Sequence, residues 1–192
     1  MKLGRLRTEA TVFFQCDIQE RFRPLIWMMP AVIHVGALMA RAARIMSIPL
    51  VVTEQYPKAL GHTVAEVQAA WGGAPAVLAE KTRFSMCNPS LLEGLPGRKS
   101  VVLYGIEGHV CVQQTCLDLL EQGYSVHILT DGISSQVPID RSTALHRMRE
   151  AGAFLTTSES VIFELMRDTK YTHFKAISDL VKQRNPAPIP SL

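Results

Sequence analysis

Short apolar runs alternate along the chain with longer segments in which apolar residues recur at helical spacing. The short runs predict six strands, at residues 10–16, 48–53, 76–79, 100–104, 125–130 and 153–156. The longer segments predict helices, at residues 31–46, 63–70, 110–121, 140–150, 159–167 and 172–182. Continuous apolar strands separated by helices are typical of a parallel sheet covered on both faces. We therefore predict a three-layer α/β fold with a mostly parallel six-stranded sheet.

The composition is that of one folded domain. Of the 192 residues, 47% are apolar and 19% are charged, and no linker or internal repeat divides the chain. We place the domain at residues 1–184, and a proline-rich tail that cannot be helical at residues 185–192. The net charge of +3 comes from scattered basic residues, which favours a solvated surface but leaves weak contact with RNA open.

The same pattern bears on where the protein acts. No purely apolar run approaches the roughly 18 residues that a membrane span needs, so we expect a cytoplasmic protein with no membrane partner. Residues 1–7 are basic and resemble an organelle transit peptide, which leaves association with mitochondria open. Cleavage after such a peptide would remove the first strand and Asp17, so we expect these residues to stay as a surface N-terminus.

The four cysteines stand at irregular spacings, with no CxxC pair and no histidines arranged for zinc. We expect all of them to be reduced thiols. Cys116 is predicted to lie in the core. Cys16 is predicted to do the same, because side chains alternate along a strand and this one would point away from Asp17.

Polar features stand where three of the predicted strands end. Asp17 follows the first strand, Lys81 follows the third, and the turn that contains Cys111 follows the fourth. In parallel sheets the loops after the strands lie at one edge, and ligands bind there where the strand order reverses. If the order reverses between the first and fourth strands, Asp17 and Cys111 flank this switch point.

Cys111 is the candidate nucleophile. Gly105 and Gly108 allow a tight turn before it. In the first turn of a helix, the unpaired N–H groups and the helix dipole favour a thiolate, and the same groups can bind an oxyanion. Position alone leaves this role and that of a small buried hydrophobe evenly matched. His109 is an alternative base for the thiol, although residues two apart on a helix do not face each other.

Asp17 and Lys81 are candidates to complete the site. The Asp17 carboxylate could accept the thiol proton as general base, and Lys81 could hold both that carboxylate and the developing negative charge. Taken alone, Asp17 is more often a loop carboxylate, and Lys81 a surface lysine paired with Glu80.

Four motifs in register resemble the isochorismatase-like cysteine hydrolases, over residues 11–162. They are Asp17-x-Gln19, Lys81 in a Lys-x-x-Phe-Ser context, the turn from Gly105 to Cys111, and residues 130–135 after the fifth strand. Within that family the chain looks most similar to the isochorismatase domain-containing proteins. The resemblance implies that Asp17 is the base, Lys81 its electrostatic partner and Cys111 the nucleophile.

The resemblance also implies how a substrate is held. It places a cis peptide bond between Ile106 and Glu107, and an oxyanion hole at the amides of Glu107 and Cys111. Position 107 is often small in the family, so Glu107 changes the local pocket. Further candidates for the pocket are Gln19, Phe84, Trp71, Ser134 and Ser135. For Phe84 and Trp71 the alternative is a place in the aromatic core, and for Ser134 and Ser135 it is a cap or a turn.

The chain also departs from some members of that family. Nicotinamidases carry a metal-binding Asp-x-His motif after the second strand, whereas here residues 53–57 lack it and only His62 follows. We therefore predict no metal and no other cofactor. Isochorismatases proper cleave a vinyl ether without needing the cysteine, so Cys111 favours covalent chemistry at a C–N bond.

Three hypotheses for the function follow. The first is a metal-independent hydrolase that acts on a small amide-like substrate through a thioester at Cys111. The second is a mitochondrion-associated ribonuclease or RNA-binding protein, as some relatives have been labelled, although phosphodiester hydrolysis normally uses metal-bound carboxylates or paired histidines. The third is a binding protein with a vestigial triad. We expect self-association in each case, because family members commonly form homo-oligomers.

Overall fold

Six parallel strands form one sheet in the computed structural model, which describes residues 3–88, 91, 94–183 and 189. The strands are β1 (Thr11–Cys16), β2 (Leu50–Gln55), β3 (Val77–Lys81), β4 (Ser100–Gly105), β5 (Ser125–Ile133) and β6 (Phe154–Thr156). Their order is β3-β2-β1-β4-β5-β6. β1, β2, β4 and most of β5 are buried, as strands covered on both faces must be.

Helices cover both faces of the sheet. They are α1 (Met29–Met46), α2 (Pro57–Leu60), α3 (Ala65–Trp71), α4 (Gln113–Glu121), α5 (Pro138–Glu150), α6 (Ser158–Met166) and α7 (Phe174–Val181). The helices α3, α6 and α7 pack around α1 on one face of the sheet. On the other face, α4 packs against α5. Shorter turns lie at Thr8–Ala10 and Glu20–Phe22 (3-10) and at Gly108–Val112 (π). The predicted three-layer α/β class is confirmed.

The helix α1 lies at the centre of its layer. Pro30 stands in its first turn, where a missing N–H group costs nothing, and Ser47 ends it in the left-handed region. By length and mean hydropathy (1.2) this helix is able to cross a membrane, but 72% of it is buried within the domain. It packs against the sheet through a face that includes Val32, Val35 and Met39.

Three strands, β2, β3 and β5, were predicted to end two or three residues too early, and these errors affect the site. Strand β2 runs on to Gln55 because its ladder with β3 continues through the pairs Glu54–Glu80 and Gln55–Lys81. Lys81 is therefore the last residue of β3 and does not follow it. Strand β5 runs on to Ile133, which pairs with Gly105 after a shift of register. Backbone pairing extends these strands past the point where the apolar pattern ends. The predicted tail lies outside the described residues except for Ile189, which packs against the core.

The strand order reverses between β1 and β4, as the hypothesis for the switch point required. At this point the two strands approach closely at Gly105, whose φ is +118°. A Cβ atom on Gly105 would lie 2.0 Å from the carbonyl oxygen of Cys16, so no larger residue fits. The Ile106 amide donates a hydrogen bond to the same oxygen at 3.0 Å. The backbone alone thus holds the loops after β1 and β4 in contact.

Candidate active site

Asp17 lies in the left-handed region (φ 49°) immediately after β1, and it is 1% exposed. Its amide donates to the Thr53 carbonyl at 3.2 Å, and the Thr53 hydroxyl donates to Asp17 Oδ1 at 2.8 Å. A buried carboxylate requires such partners to offset its lost hydration. The end of β2 therefore fixes the orientation of the carboxylate, with Oδ2 directed at the remaining groups of the site.

Lys81 completes the charged part of the site. Its Nζ atom donates to Asp17 Oδ2 at 2.6 Å and to Gln55 Oε1 at 2.7 Å. The carbonyl oxygens of Phe84 and Arg83 lie at 2.9 and 3.3 Å from the same nitrogen. With four acceptors around it, the ammonium group has a single position.

The pKa of Lys81 is raised above its usual value. Burial acts to lower this pKa, but the negative charges of Cys16, Asp17 and Cys111 in their ionised forms outweigh it. The ammonium group therefore stays charged over the physiological range. It can stabilise an anion that forms beside the Asp17 carboxylate.

Cys111 lies in the π turn Gly108–Val112 that joins β4 to α4, and it is 7% exposed. Its carbonyl accepts a hydrogen bond from the Thr115 hydroxyl at 2.6 Å, which holds the turn against α4. The Sγ atom of Cys111, a carboxylate oxygen of Asp17 and the Sγ atom of Cys16 all lie within 4.8 Å of one another. The structure thus brings the three predicted triad residues, Asp17, Lys81 and Cys111, together.

Cys16 was predicted to point away from Asp17, and this prediction was wrong. The Cys16 thiol lies 3.5 Å from Asp17 Oδ2, and its Sγ atom lies within 4.8 Å of that of Cys111. The alternation of side chains holds only within a strand, and the left-handed conformation of Asp17 reverses it at the next residue. Burial, the hydrogen bond with Cys111 and the charge of Asp17 raise the pKa of the Cys16 thiol well above its usual value.

The turn before Cys111 has the backbone that the resemblance implied. The peptide bond between Ile106 and Glu107 is cis, and Ile106 is fully buried. The Gly108 amide donates to the Ser134 carbonyl at 2.8 Å. The amides of Val110 and Val112 both donate to the Glu107 carbonyl at 3.1 Å. These bonds hold the turn in place between β4 and the loop after β5.

Gln19 lies beside the site, but its side chain is bound to backbone atoms. Nε2 donates to the carbonyls of Gln55 at 3.0 Å and Gly61 at 2.6 Å, and Oε1 accepts from the Gln55 amide at 2.7 Å. Gln19 thus positions the residue that accepts from Lys81. Its predicted contact with substrate stays a prediction.

The side chains of the remaining candidates have no described contact with Asp17, Lys81 or Cys111. The ring of Phe84 is 51% exposed, and its carbonyl holds Lys81. The Ser134 hydroxyl donates to the Trp27 carbonyl, which ties the loop after β5 to the start of α1. Trp71 packs against the hydrophobic core.

Glu107 and His109 point to the outer part of the same region. The Glu107 carboxylate accepts from the amide and the side chain of Gln136, at 3.1 and 3.3 Å. His109 Nδ1 lies 3.1 Å from the Ser135 hydroxyl, and Nε2 lies 3.8 Å from the Asp140 carboxylate. The described contacts of His109 are therefore with Ser135 and Asp140, whereas the thiol of Cys111 contacts Cys16.

Sequence reasoning missed Thr53 and Gln55 as well as Cys16. Both missed polar residues lie at the carboxyl end of β2, one strand away from Asp17, and a longer prediction for β2 would have included Gln55. The cluster of Cys16, Asp17 and Cys111 has the donor atoms of a site for a soft metal ion. The Lys81 ammonium on the same carboxylate disfavours a cation there.

Comparisons with known proteins agree with this geometry. The model of the Isochorismatase domain matches residues 11–160. A mouse protein, isochorismatase domain-containing protein 2A, is 46% identical, over 96% of this chain and 88% of its own. A structure described as MAR1 ribonuclease from Caenorhabditis elegans is 41% identical, with a TM-score of 0.91, and the match covers 98% of this chain and 100% of that one.

A more distant structure shares the fold. The YcaC gene product of Escherichia coli, described as an octameric hydrolase of unknown specificity, is 24% identical, with a TM-score of 0.80. The match covers 95% of this chain and 97% of that one. At this identity the likeness extends to the architecture alone.

Proposed function

Because the chain belongs to the isochorismatase family, whose members are hydrolases, we propose that it cleaves a small amide-like substrate at a C–N bond through a thioester on Cys111. One observation carries the proposal, namely the convergence of a thiol, a carboxylate and an ammonium group at the switch point. Each group has the partner that covalent acyl transfer needs, which is a base for the nucleophile and a cation beside that base.

In the first half of the reaction, the Asp17 carboxylate takes the proton from the Cys111 thiol. The thiolate attacks the carbonyl carbon, and the carbonyl oxygen becomes an oxyanion. We assign this oxyanion to the amides of Glu107 and Cys111, as the family resemblance implies. The C–N bond then breaks, and the leaving nitrogen takes the proton from Asp17.

In the second half, water hydrolyses the thioester. Asp17 accepts a proton from the water molecule as its oxygen attacks the acyl carbon, and the same oxyanion hole holds the charge. When the C–S bond breaks, the acid leaves, the proton on Asp17 returns to the Cys111 sulfur, and the enzyme is restored. Lys81 keeps the carboxylate in place at 2.6 Å through both halves. None of these steps requires a metal ion or another cofactor.

A screen of small amides with detection by intact mass tests this mechanism. We expect a substrate to leave an acyl adduct on Cys111 and to be turned over, and Cys111→Ala to abolish both. Cys116→Ala is the matched control, because Cys116 is fully buried on α4, away from the described site contacts. Turnover that survives Cys111→Ala would contradict the proposal.

A ribonuclease activity is the second candidate, because the similar C. elegans structure is described as a ribonuclease. Incubation of the protein with a labelled single-stranded RNA separates the two. RNA cleavage that is unaffected by Cys111→Ala, together with binding that weakens steeply as salt rises, would favour this candidate. A vestigial site would instead show slow, unselective alkylation of Cys111 at neutral pH.

The assembly and location are also proposals. We propose a homo-oligomer, with the octamer described for the E. coli protein as the precedent in this fold. Light scattering on the purified chain tests it. We propose a cytoplasmic location, with association with mitochondria as the alternative, and cell fractionation distinguishes the two.

A further inference from the structure

A second thiol lies at the site, and the hydrolase mechanism above does not use it. Cys16 is completely buried, while Cys111 retains a small exposed fraction of 7%. The Sγ atoms of the two thiols lie within 4.8 Å of each other. The Cys16 thiol is also 3.5 Å from the Asp17 carboxylate. Two thiols and a carboxylate in contact permit a chemistry that one thiol does not.

We propose that Cys111 and Cys16 form an oxidisable pair, in which a small hydroperoxide oxidises Cys111 and Cys16 then closes a disulfide with it. The inference rests on the proposed function only in requiring a nucleophilic sulfur at Cys111. It makes the pair a modification site whose reagent is a hydroperoxide.

The first step belongs to Cys111. Its thiolate attacks one oxygen of the hydroperoxide, the O–O bond breaks, and the other oxygen leaves as water or an alcohol after it takes up a proton. The sulfur becomes sulfenic acid, oxidised by two electrons, and the peroxide is reduced by two. We assign the first attack to Cys111 because it keeps 7% exposure, whereas Cys16 has none. Asp17, which Lys81 holds in place, takes the proton of the Cys111 thiol and passes it to the leaving oxygen.

The second step belongs to Cys16. Its sulfur attacks the Cys111 sulfur and forms the S–S bond, while the S–O bond of the sulfenic acid breaks. The oxygen leaves as water, taking the proton that Cys16 loses. The raised pKa of Cys16 means that this thiol starts out protonated, and Asp17 Oδ2 at 3.5 Å is in place to accept that proton and pass it on. The two Sγ atoms must close to about 2.05 Å, and the proposal therefore requires the Cys111 side chain to rotate towards Cys16.

The chain contains a second pair of thiols that serves as an internal control. Cys87 and Cys116 are both buried in the core, and Cys87 Sγ contacts the carbonyl of Thr115, which precedes Cys116, at 3.7 Å. Burial raises the pKa of Cys87 to about 11 and that of Cys116 to about 12. No lysine contact is described for either thiol. Proximity alone would oxidise both pairs, whereas the proposal requires oxidation of the Cys16–Cys111 pair first.

The experiment treats the reduced full-length protein with hydrogen peroxide and follows its intact mass. The Cys87→Ala/Cys116→Ala variant retains only Cys16 and Cys111 of the four cysteines. We expect it to lose about 2 Da, and dithiothreitol to reverse the change. The loss of amide turnover should track the disulfide fraction, with each variant's rate before peroxide as its own reference. Peptide mapping of the wild-type protein gives the same answer if the double variant fails to fold.

Cys16→Ala is the decisive comparison. Without the second thiol, Cys111 should gain about 16 or 32 Da as sulfenic or sulfinic acid, and dimedone should trap the sulfenic form. The inference is overturned if wild-type Cys111 reaches sulfinic acid with no 16–111 disulfide, if Cys87 and Cys116 pair first, or if Cys111 does not react. These outcomes are separate from the proposed function. A protein that turns over amides without forming the disulfide refutes only the inference, and one that forms the disulfide without turnover refutes only the function.

Discussion

The site has two halves that are held together in different ways. The Asp17 half consists of Asp17, Gln19, Thr53, Gln55 and Lys81. The Cys111 half consists of Glu107, His109, Cys111, Ser135 and Gln136. In the first half, buried side chains bind one another and nearby backbone atoms. In the second, backbone bonds hold the turn, and the side-chain contacts of Glu107 and His109 lie near solvent.

This difference means that one half of the site stabilises the fold and the other half admits the substrate. Buried charges are costly when they lose a partner, so the Asp17 half should be sensitive to single changes. Polar contacts near solvent contribute little, since water replaces them. The Cys111 half is therefore able to admit a substrate at small cost, whereas the Asp17 half must stay intact for the fold as well as for the chemistry.

The largest expected effect is that of Lys81→Met. This change leaves the buried Asp17 carboxylate without its cation, and we expect the free energy of unfolding to fall by about 3 kcal/mol, with loss of turnover. Urea unfolding measures it, with exposed Lys58→Met as the matched control. Equal stability of the two variants would remove the distinction between the halves.

The next largest effect is that of Gln19→Leu. Leucine has a similar size but leaves the amide of Gln55 and the carbonyls of Gln55 and Gly61 without this partner. We expect a loss of about 2 kcal/mol in the free energy of unfolding. Gln136→Leu, made in the other half, should change it by less than about 0.5 kcal/mol. A reversed order in urea unfolding would contradict the comparison.

Alkaline pH should weaken the Asp17 half by a graded amount. The folded-state pKa of Lys81 is raised, so its contribution to stability is complete below the unfolded pKa of about 10.4 and is lost as pH rises through the folded pKa. The difference in unfolding free energy between the wild-type protein and Lys81→Met should therefore be constant below about pH 10 and shrink above it. Urea titrations at stepped pH measure this difference. A difference that grows with pH would mean that Lys81 is held mainly as a neutral amine.

The smallest expected effect is that of Asp140→Asn. Asp140 is half-exposed and lies 3.8 Å from His109 Nε2, so we expect a change below about 0.5 kcal/mol in the free energy of unfolding. Turnover of an amide found in the screen should change by less than about threefold. A loss of two orders of magnitude would instead show that His109 works as the base that the sequence left open.

The architecture was predictable because it depends on periodicity. Apolar runs placed every strand, and the ends of three of them indicated Asp17, Lys81 and Cys111 as site residues. The details that failed depend on single backbone conformations and on pairing across strands. The left-handed backbone of Asp17 directs the Cys16 and Asp17 side chains into the same site. The β2–β3 ladder continues to its last pair and places Gln55 beside Lys81. The role of Gln19 was hidden because its partners are backbone atoms that are distant in the sequence, at Gln55 and Gly61.

The close approach at Gly105 has a consequence for how this enzyme can change. Main-chain contact between β1 and β4 sets the spacing of the two loops that carry the thiol and the carboxylate. This spacing therefore does not depend on the exposed side chains that would line a pocket. Exposed residues such as Phe84 can be exchanged without moving the thiol relative to the carboxylate. A directed-evolution library confined to such positions would vary substrate preference on a constant chemical framework, whereas any substitution of Gly105 would remove the framework itself.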